Sequence, residues 1–183
     1  CTLELSSFYF DIRKDVLYCD SLNSKKRQNC VIVLNIILES LLTWFAPILV
    51  FTTEEIHDLI SKDDSSIHEN FFVEIPDSWN NETLSNKWVK LYKIKQEANI
   101  AIEAKRASKE IGSSLEAELK IKLNDKYKEI ISKIDISELC IVSKADINFD
   151  RQSDIIVETK KASGNKCPVC WKISIDPCER HTQ

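Results

Sequence analysis

Three cysteines and a histidine crowd one end of this sequence. Cys167 and Cys170 flank two residues, seven more follow, and Cys178 and His181 repeat the two-residue gap. Two thiolates at that spacing can turn onto one tetrahedral ion, and three Cys with one His form a closed ligand set for structural zinc. Pro168 and Pro177 stiffen the turns beside them. So short a segment cannot build an apolar core, and a metal is what would order it. The expectation is one structural Zn2+ per chain on Cys167, Cys170, Cys178 and His181. A redox CxxC would need a thioredoxin-like βαβ setting, which is missing, and it would leave Cys178 and His181 unexplained. Closed coordination leaves no open position for substrate, so no catalytic residue is assigned.

The next candidates are basic or aromatic. Trp171 directly follows the first pair, with Lys166 and Lys172 around it. A tryptophan on a rigid turn could stack on a nucleic-acid base or cover the metal from water, and the sequence leaves both open. Lys25, Lys26 and Arg27 follow Ser24, a helix-capping residue type. Cations there oppose the helix dipole, so they either form a phosphate site with the free N–H groups or lie in a solvated turn. Between residues 87 and 109, seven Lys and Arg face two Glu. Lys95 and Asn99 fall one turn apart within the apolar arc of Trp88, Leu91, Tyr92, Ala98 and Ile102, with Arg106 further along. Lys95 either runs its stem along the core edge or joins Asn99 in reading an unstacked base. His57 and His68 have no visible partners.

The elements that must carry these residues read as mainly helical. Leu5, Tyr9, Ile12 and Val16 share one face of a helix over 3–18, and Ser24 caps a helix running to about Phe51, which Pro47 should kink or end. Its stretch 31–51 is long enough for a bilayer, but Glu39 at its centre would cost about 2.5–3.5 kcal/mol on insertion. A helix buried in a bundle is expected there, not a membrane span. Thr52 or Thr53 caps the next helix. A polar loop leads to a long helix over 84–111, with Gly112 in a left-handed cap. Leu115, Ala117, Leu119, Ile121 and Leu123 then alternate as a half-buried strand, a short helix follows from Asn124 or Asp125, and 138–149 and 154–161 read as two more strands.

The 183 residues carry a net charge of −4, which disfavours non-specific coating of nucleic acid but not local basic patches. Two glycines disfavour Gly-rich phosphate loops. Seven cysteines, four of them scattered (Cys1, Cys19, Cys30, Cys140), and no visible secretory signal suit free thiols in a cytoplasmic protein. No methionine occurs, even at position 1, so a piece of a longer chain is expected.

Four stretches, "SSFYFDIRKDVLYCD", "WFAPILVFTTEEIHDLI", "WVKLYKIKQEANIAIEAKRASKEIGSSLEAEL" and "CPVCWKI", occur in an order that resembles the C-terminal region of bacterial-type isoleucyl-tRNA synthetase. The resemblance covers essentially the whole chain. It departs from the family in the histidine at the last ligand position and in a shorter spacer. It implies a helical bundle of the anticodon-binding type over 1–112, a small α/β subdomain over 113–160 and a zinc-binding module over 161–183. It further implies a tRNA-binding part of a ligase that attaches isoleucine to its tRNA, with ATP and Mg2+ used only by a catalytic domain outside this chain. The partners implied are the anticodon region of isoleucine tRNA and the rest of a monomeric synthetase. The tRNA-binding candidates are Lys25, Lys26, Arg27, Lys95, Asn99, Arg106, Trp171 and Lys172. A non-enzymatic zinc-knuckle adaptor for RNA or protein is the alternative, and a DNA-repair glycosylase with a similar terminal finger is a second.

Overall fold

The computed structural model describes residues 2–61, 64–151 and 154–181, so Cys1 lies outside them. The chain forms two compact units: Val16–Asn80, and Cys1–Asp15 together with Asn81–Gln183. This division differs from bounds at 112/113 and 160/161, because the long helix packs its buried face on the strands that follow it.

In Val16–Asn80, Ser24 caps α2 (Lys25–Phe45) by accepting the Arg27 N–H at 3.4 Å. The helix ends before Pro47, whose ring cannot donate to the ladder, and α3 (Val50–Ile60) begins at once. The expected threonine cap is not used; Thr53 instead donates its hydroxyl back to the Leu49 carbonyl at 3.0 Å. Glu54 of α3 accepts from the Ser66 hydroxyl (2.9 Å) and the Ile67 N–H (3.0 Å), and so pins a short 3-10 turn, Ile67–Glu69. These hydrogen bonds hold the Glu54 carboxyl below its ordinary range, the Ser66 hydroxyl first among them. The expectation that α2 is buried in a bundle is met only in part within the described residues. By length and composition α2 is long and apolar enough to cross a membrane, and 22% of its apolar window is buried within the protein. Its core contacts are few: Leu42, Ala46 and Ile67, flanked by Leu38 and Ile56.

The other unit opens with a π-helical segment, Thr2–Phe10, leading into α1 (Asp11–Cys19). The wider i→i+5 turn breaks the 3.6-residue period, so Ile12 is buried while Leu5 and Tyr9 are only half-buried. Asn81 caps α4 (Glu82–Ala107), accepting the Leu84 N–H at 2.9 Å. The helix stops earlier than Gly112. Lys109 takes the left-handed conformation (φ 61°), and the Glu110 N–H returns to the Lys105 carbonyl at 3.1 Å, closing a Schellman motif without glycine.

The sheet has order β2-β1-β3, with β1 (Ala117–Leu123) parallel to β2 (Lys144–Phe149) and antiparallel to β3 (Ile155–Lys161). Between β1 and β2 lie α5 (Lys128–Ile131) and α6 (Ile136–Cys140). The strand expected over 138–149 therefore begins later, because Asp135 caps α6 by accepting the Ser137 and Glu138 N–H groups. The period-two face holds: Leu119, Ile121 and Leu123 are fully buried against Leu91, Ile94, Ala98 and Ile102 of α4.

Candidate metal centre and nucleic-acid surface

After β3 the chain makes a small hairpin, β4 (Asn165–Lys166) with β5 (Ile173–Ser174). Gly164 makes it possible. Its φ is +126°, and a Cβ there would lie 2.1 Å from the Ser174 carbonyl oxygen, so no other residue fits without moving the backbone. Within the hairpin Cys167 N–H donates to the Lys172 carbonyl (2.9 Å) and Trp171 N–H to the Cys167 carbonyl (3.0 Å).

This turn brings the four expected ligands together. The thiol sulfurs of Cys167, Cys170 and Cys178 and a ring nitrogen of His181 all lie within 4.8 Å of one another. Cys167 Sγ is 3.4 Å and Cys178 Sγ 3.2 Å from His181 Nδ1, and Cys170 Sγ is 3.9 Å from Cys178 Sγ. A tetrahedral zinc with bonds of about 2.0–2.3 Å has ligand–ligand edges of roughly 3.5–3.8 Å, so the donor set fits one such ion. The N–H groups of Cys170 and Val169 point at Cys167 and draw its thiol down to about 6, whereas burial pushes Cys170 up. The cluster could hold one metal ion.

Trp171 lies beside the cluster in the left-handed region (φ 64°), a conformation rare for a bulky residue. The residue is 58% exposed, with Lys166 Nζ 5.1 Å from the ring centroid. Lys172 is half-buried next to it.

The candidates on α4 separate. Lys95 is buried, and its ammonium donates to the Leu139 carbonyl at 2.8 Å, over the Phe8 ring at 5.3 Å. It caps the C-terminal end of α6, where a cation suits the helix dipole, and burial lowers its pKa. Beside it, burial pushes the Cys140 thiol up to about 12. Asn99 is not buried, contrary to the expected arc; Ile94 takes the core position instead. Arg106 Nη1 pairs with Glu103 at 2.7 Å on the surface. All three nonetheless line a cleft of about 270 Å³ with Ser7, Asp11 and Ser114. Those last three were invisible to sequence reasoning: Ser7 and Asp11 reach the cleft only through the packing of the N-terminal segment, and Ser114 through the turn that leads from α4 to β1.

In the Val16–Asn80 unit, Lys25 and Lys26 are exposed at the start of α2, whereas Arg27 Nε donates to the Leu17 carbonyl at 2.9 Å. His57 and His68 do have partners: His57 Nε2 lies 3.4 Å from Ser65 Oγ, and His68 Nε2 3.3 Å from the Val50 carbonyl.

The chain belongs to the anticodon-binding domain family of tRNA ligases, whose family model matches residues 1–123. Among its relatives is the isoleucine–tRNA ligase of Pelagibacter ubique (strain HTCC1062), 59% identical over 182 residues, covering 100% of this chain and 20% of that protein. The isoleucine–tRNA ligase of Agrobacterium fabrum is 40% identical over 185 residues, covering 95% of this chain and 19% of its own length. The chain thus spans about a fifth of the length of the curated relatives it matches. The resemblance to the C-terminal region of isoleucyl-tRNA synthetases, first drawn from four sequence stretches, is borne out.

Proposed function

We propose that this chain is the anticodon-binding part of an isoleucine–tRNA ligase, and that it grips the anticodon region of isoleucine tRNA. The joining of isoleucine to tRNA with ATP belongs, in this reading, to the remainder of a longer cytoplasmic protein. The observation that carries the reading is Trp171: a largely exposed ring held at a strained turn beside a Cys3His cluster, with a lysine ammonium over it. A ring that exposed covers little of the cluster but offers a face on which an unstacked anticodon base can rest. Zinc is the ion proposed for Cys167, Cys170, Cys178 and His181, on the strength of the donor set and its edge lengths. Its part is to order the hairpin, not to take part in chemistry. On α4, the Asn99 amide and the Arg106 guanidinium are the groups proposed to meet RNA, while Lys95 keeps its post on the Leu139 carbonyl. Lys25, Lys26 and Lys172 contribute positive charge toward phosphates.

The test is a salt series of binding to the isoleucine anticodon stem-loop, other tRNAs and damaged duplex DNA. The isoleucine stem-loop should bind best, and Trp171→Ala should weaken it by about 5- to 100-fold, the usual worth of one base–aromatic stack. Chelation should release one zinc per chain and leave residues after Lys161 open to protease. Preference for duplex DNA, or no RNA binding, would overturn the reading.

A further inference from the structure

All four ligands of the metal cluster come from residues 167–181. An ion there orders the hairpin internally but says nothing about how the hairpin sits on the sheet. Two other contacts do that, one on each half of the cluster. Ser143, just before β2, gives its backbone N–H to the Ala117 carbonyl at 3.1 Å. Its hydroxyl accepts the Ile173 N–H at 2.6 Å and donates to the Leu115 carbonyl. One side-chain oxygen therefore joins β5, two residues beyond Trp171, to the turn that opens β1. On the other half, Arg180 lies between Cys178 and His181, and its Nη1 donates to Asp15 of α1 at 2.7 Å. α1 is itself tied down, since Arg13 Nη1 meets Glu138 of α6 at 2.7 Å with both side chains largely covered (26% and 13% exposed).

We propose that Ser143 and the Asp15–Arg180 pair are positioning residues that set the direction in which the hairpin presents Trp171 to RNA. The proposal rests on the RNA-binding reading above and adds to it a division of labour. The metal makes the hairpin rigid, and these two clasps aim it. A ring already aimed loses less freedom on binding than one on a swinging hairpin, so the clasps act through affinity and not through direct contact with RNA. Serine suits the post because its hydroxyl both donates and accepts. Alanine would leave the Ile173 N–H and the Leu115 carbonyl without this bridge.

The experiment measures anisotropy of a labelled isoleucine anticodon stem-loop on the zinc-loaded full chain, with metal content read in parallel. Ser143→Ala and Arg180→Gln should each weaken binding about three- to tenfold, a modest ordering effect, while zinc stays at one per chain. Ser143→Thr, which keeps the hydroxyl, should recover most of the loss. In a Trp171→Ala background, Ser143→Ala should add less than about a twofold further loss, because coupled residues are non-additive. Wild-type affinity in both clasp variants, with Trp171→Ala impaired, overturns the clasp and leaves the RNA reading standing. A full additive loss in the double variant overturns it as well, since the clasp would then not act through Trp171. Loss of zinc in the clasp variants would show that they merely hold the hairpin together, and would also overturn it. An unimpaired Trp171→Ala removes the stacking reading and this proposal with it.

Discussion

The two units of this protein are both rich in apolar residues and use them differently. In the sheet-containing unit, β1 and α4 meet across a continuous cluster in which Leu91, Ile94, Leu119, Ile121 and Leu123 are fully buried. In Val16–Asn80 the buried apolar cluster is reduced to Leu42, Ala46 and Ile67. Trp44 (50% exposed), Phe51 (88%) and Phe71 (94%) are left largely uncovered within that unit. The difference is geometric. A strand presents every second side chain to one face, and a single long helix can cover that face. Two helices and a short turn cannot cover each other all the way round. Apolar content alone therefore does not locate the stable core.

Core truncation gives the largest effect expected from this contrast. Leu119→Ala should lower unfolding stability by about 2–5 kcal/mol in urea titrations, as for other buried leucines. A loss below about 1 kcal/mol would erase the distinction between the units.

A pH series sharpens it next. The Cys140 thiol holds its proton to about 12 in the folded protein, against an ordinary value of 9.0. Between those values the unfolded chain binds fewer protons, so stability falls as pH rises through the window and this contribution is fully present below pH 9. From pH 8 to 10.5 the loss should be about 2 kcal/mol, the slope approaching roughly 1.4 kcal/mol per unit once the unfolded thiol is ionised. Cys140→Ala should flatten that slope in denaturation midpoints read at each pH; an unchanged slope would show that the thiol is not held in a dry core.

The smallest effect is expected at Phe51. Phe51→Ser should change stability by no more than about 0.5 kcal/mol, the usual limit for exposed positions. A larger loss, measured by the same urea titration, would mean that its ring is covered in solution and that the helical unit is better packed than its contacts imply.

Much of the local structure was readable from residue order. Ser24, Asn81, Asn124 and Asp135 cap the segments that follow them through their own side-chain oxygens. Of these, Ser24 and Asn124 could be picked out in advance because capping needs only residues within one turn. The alternation through Leu123 announced β1 for the same reason. What failed were readings that assumed regular periods or partners near in sequence. Asn99 does not occupy the buried arc that the helical period assigns it, the left-handed cap falls on Lys109 and not on Gly112, and α6 interrupts a stretch that alternates like a strand.

The metal cluster marks the boundary between the two kinds of knowledge. Ligand spacing is a short-range property, because four donors within fifteen residues can close on one ion whatever the rest of the chain does, and the sequence by itself determined that set. It also determined, through capping and alternation, where several helices and strands start. Tertiary structure alone decided that Lys95 caps α6 across forty-four residues, that Ser143 reaches Ile173 across thirty, and that Arg180 reaches Asp15 across 165. Such contacts depend on how whole elements pack. No local pattern of residue types encodes the direction in which a packed side chain finally points.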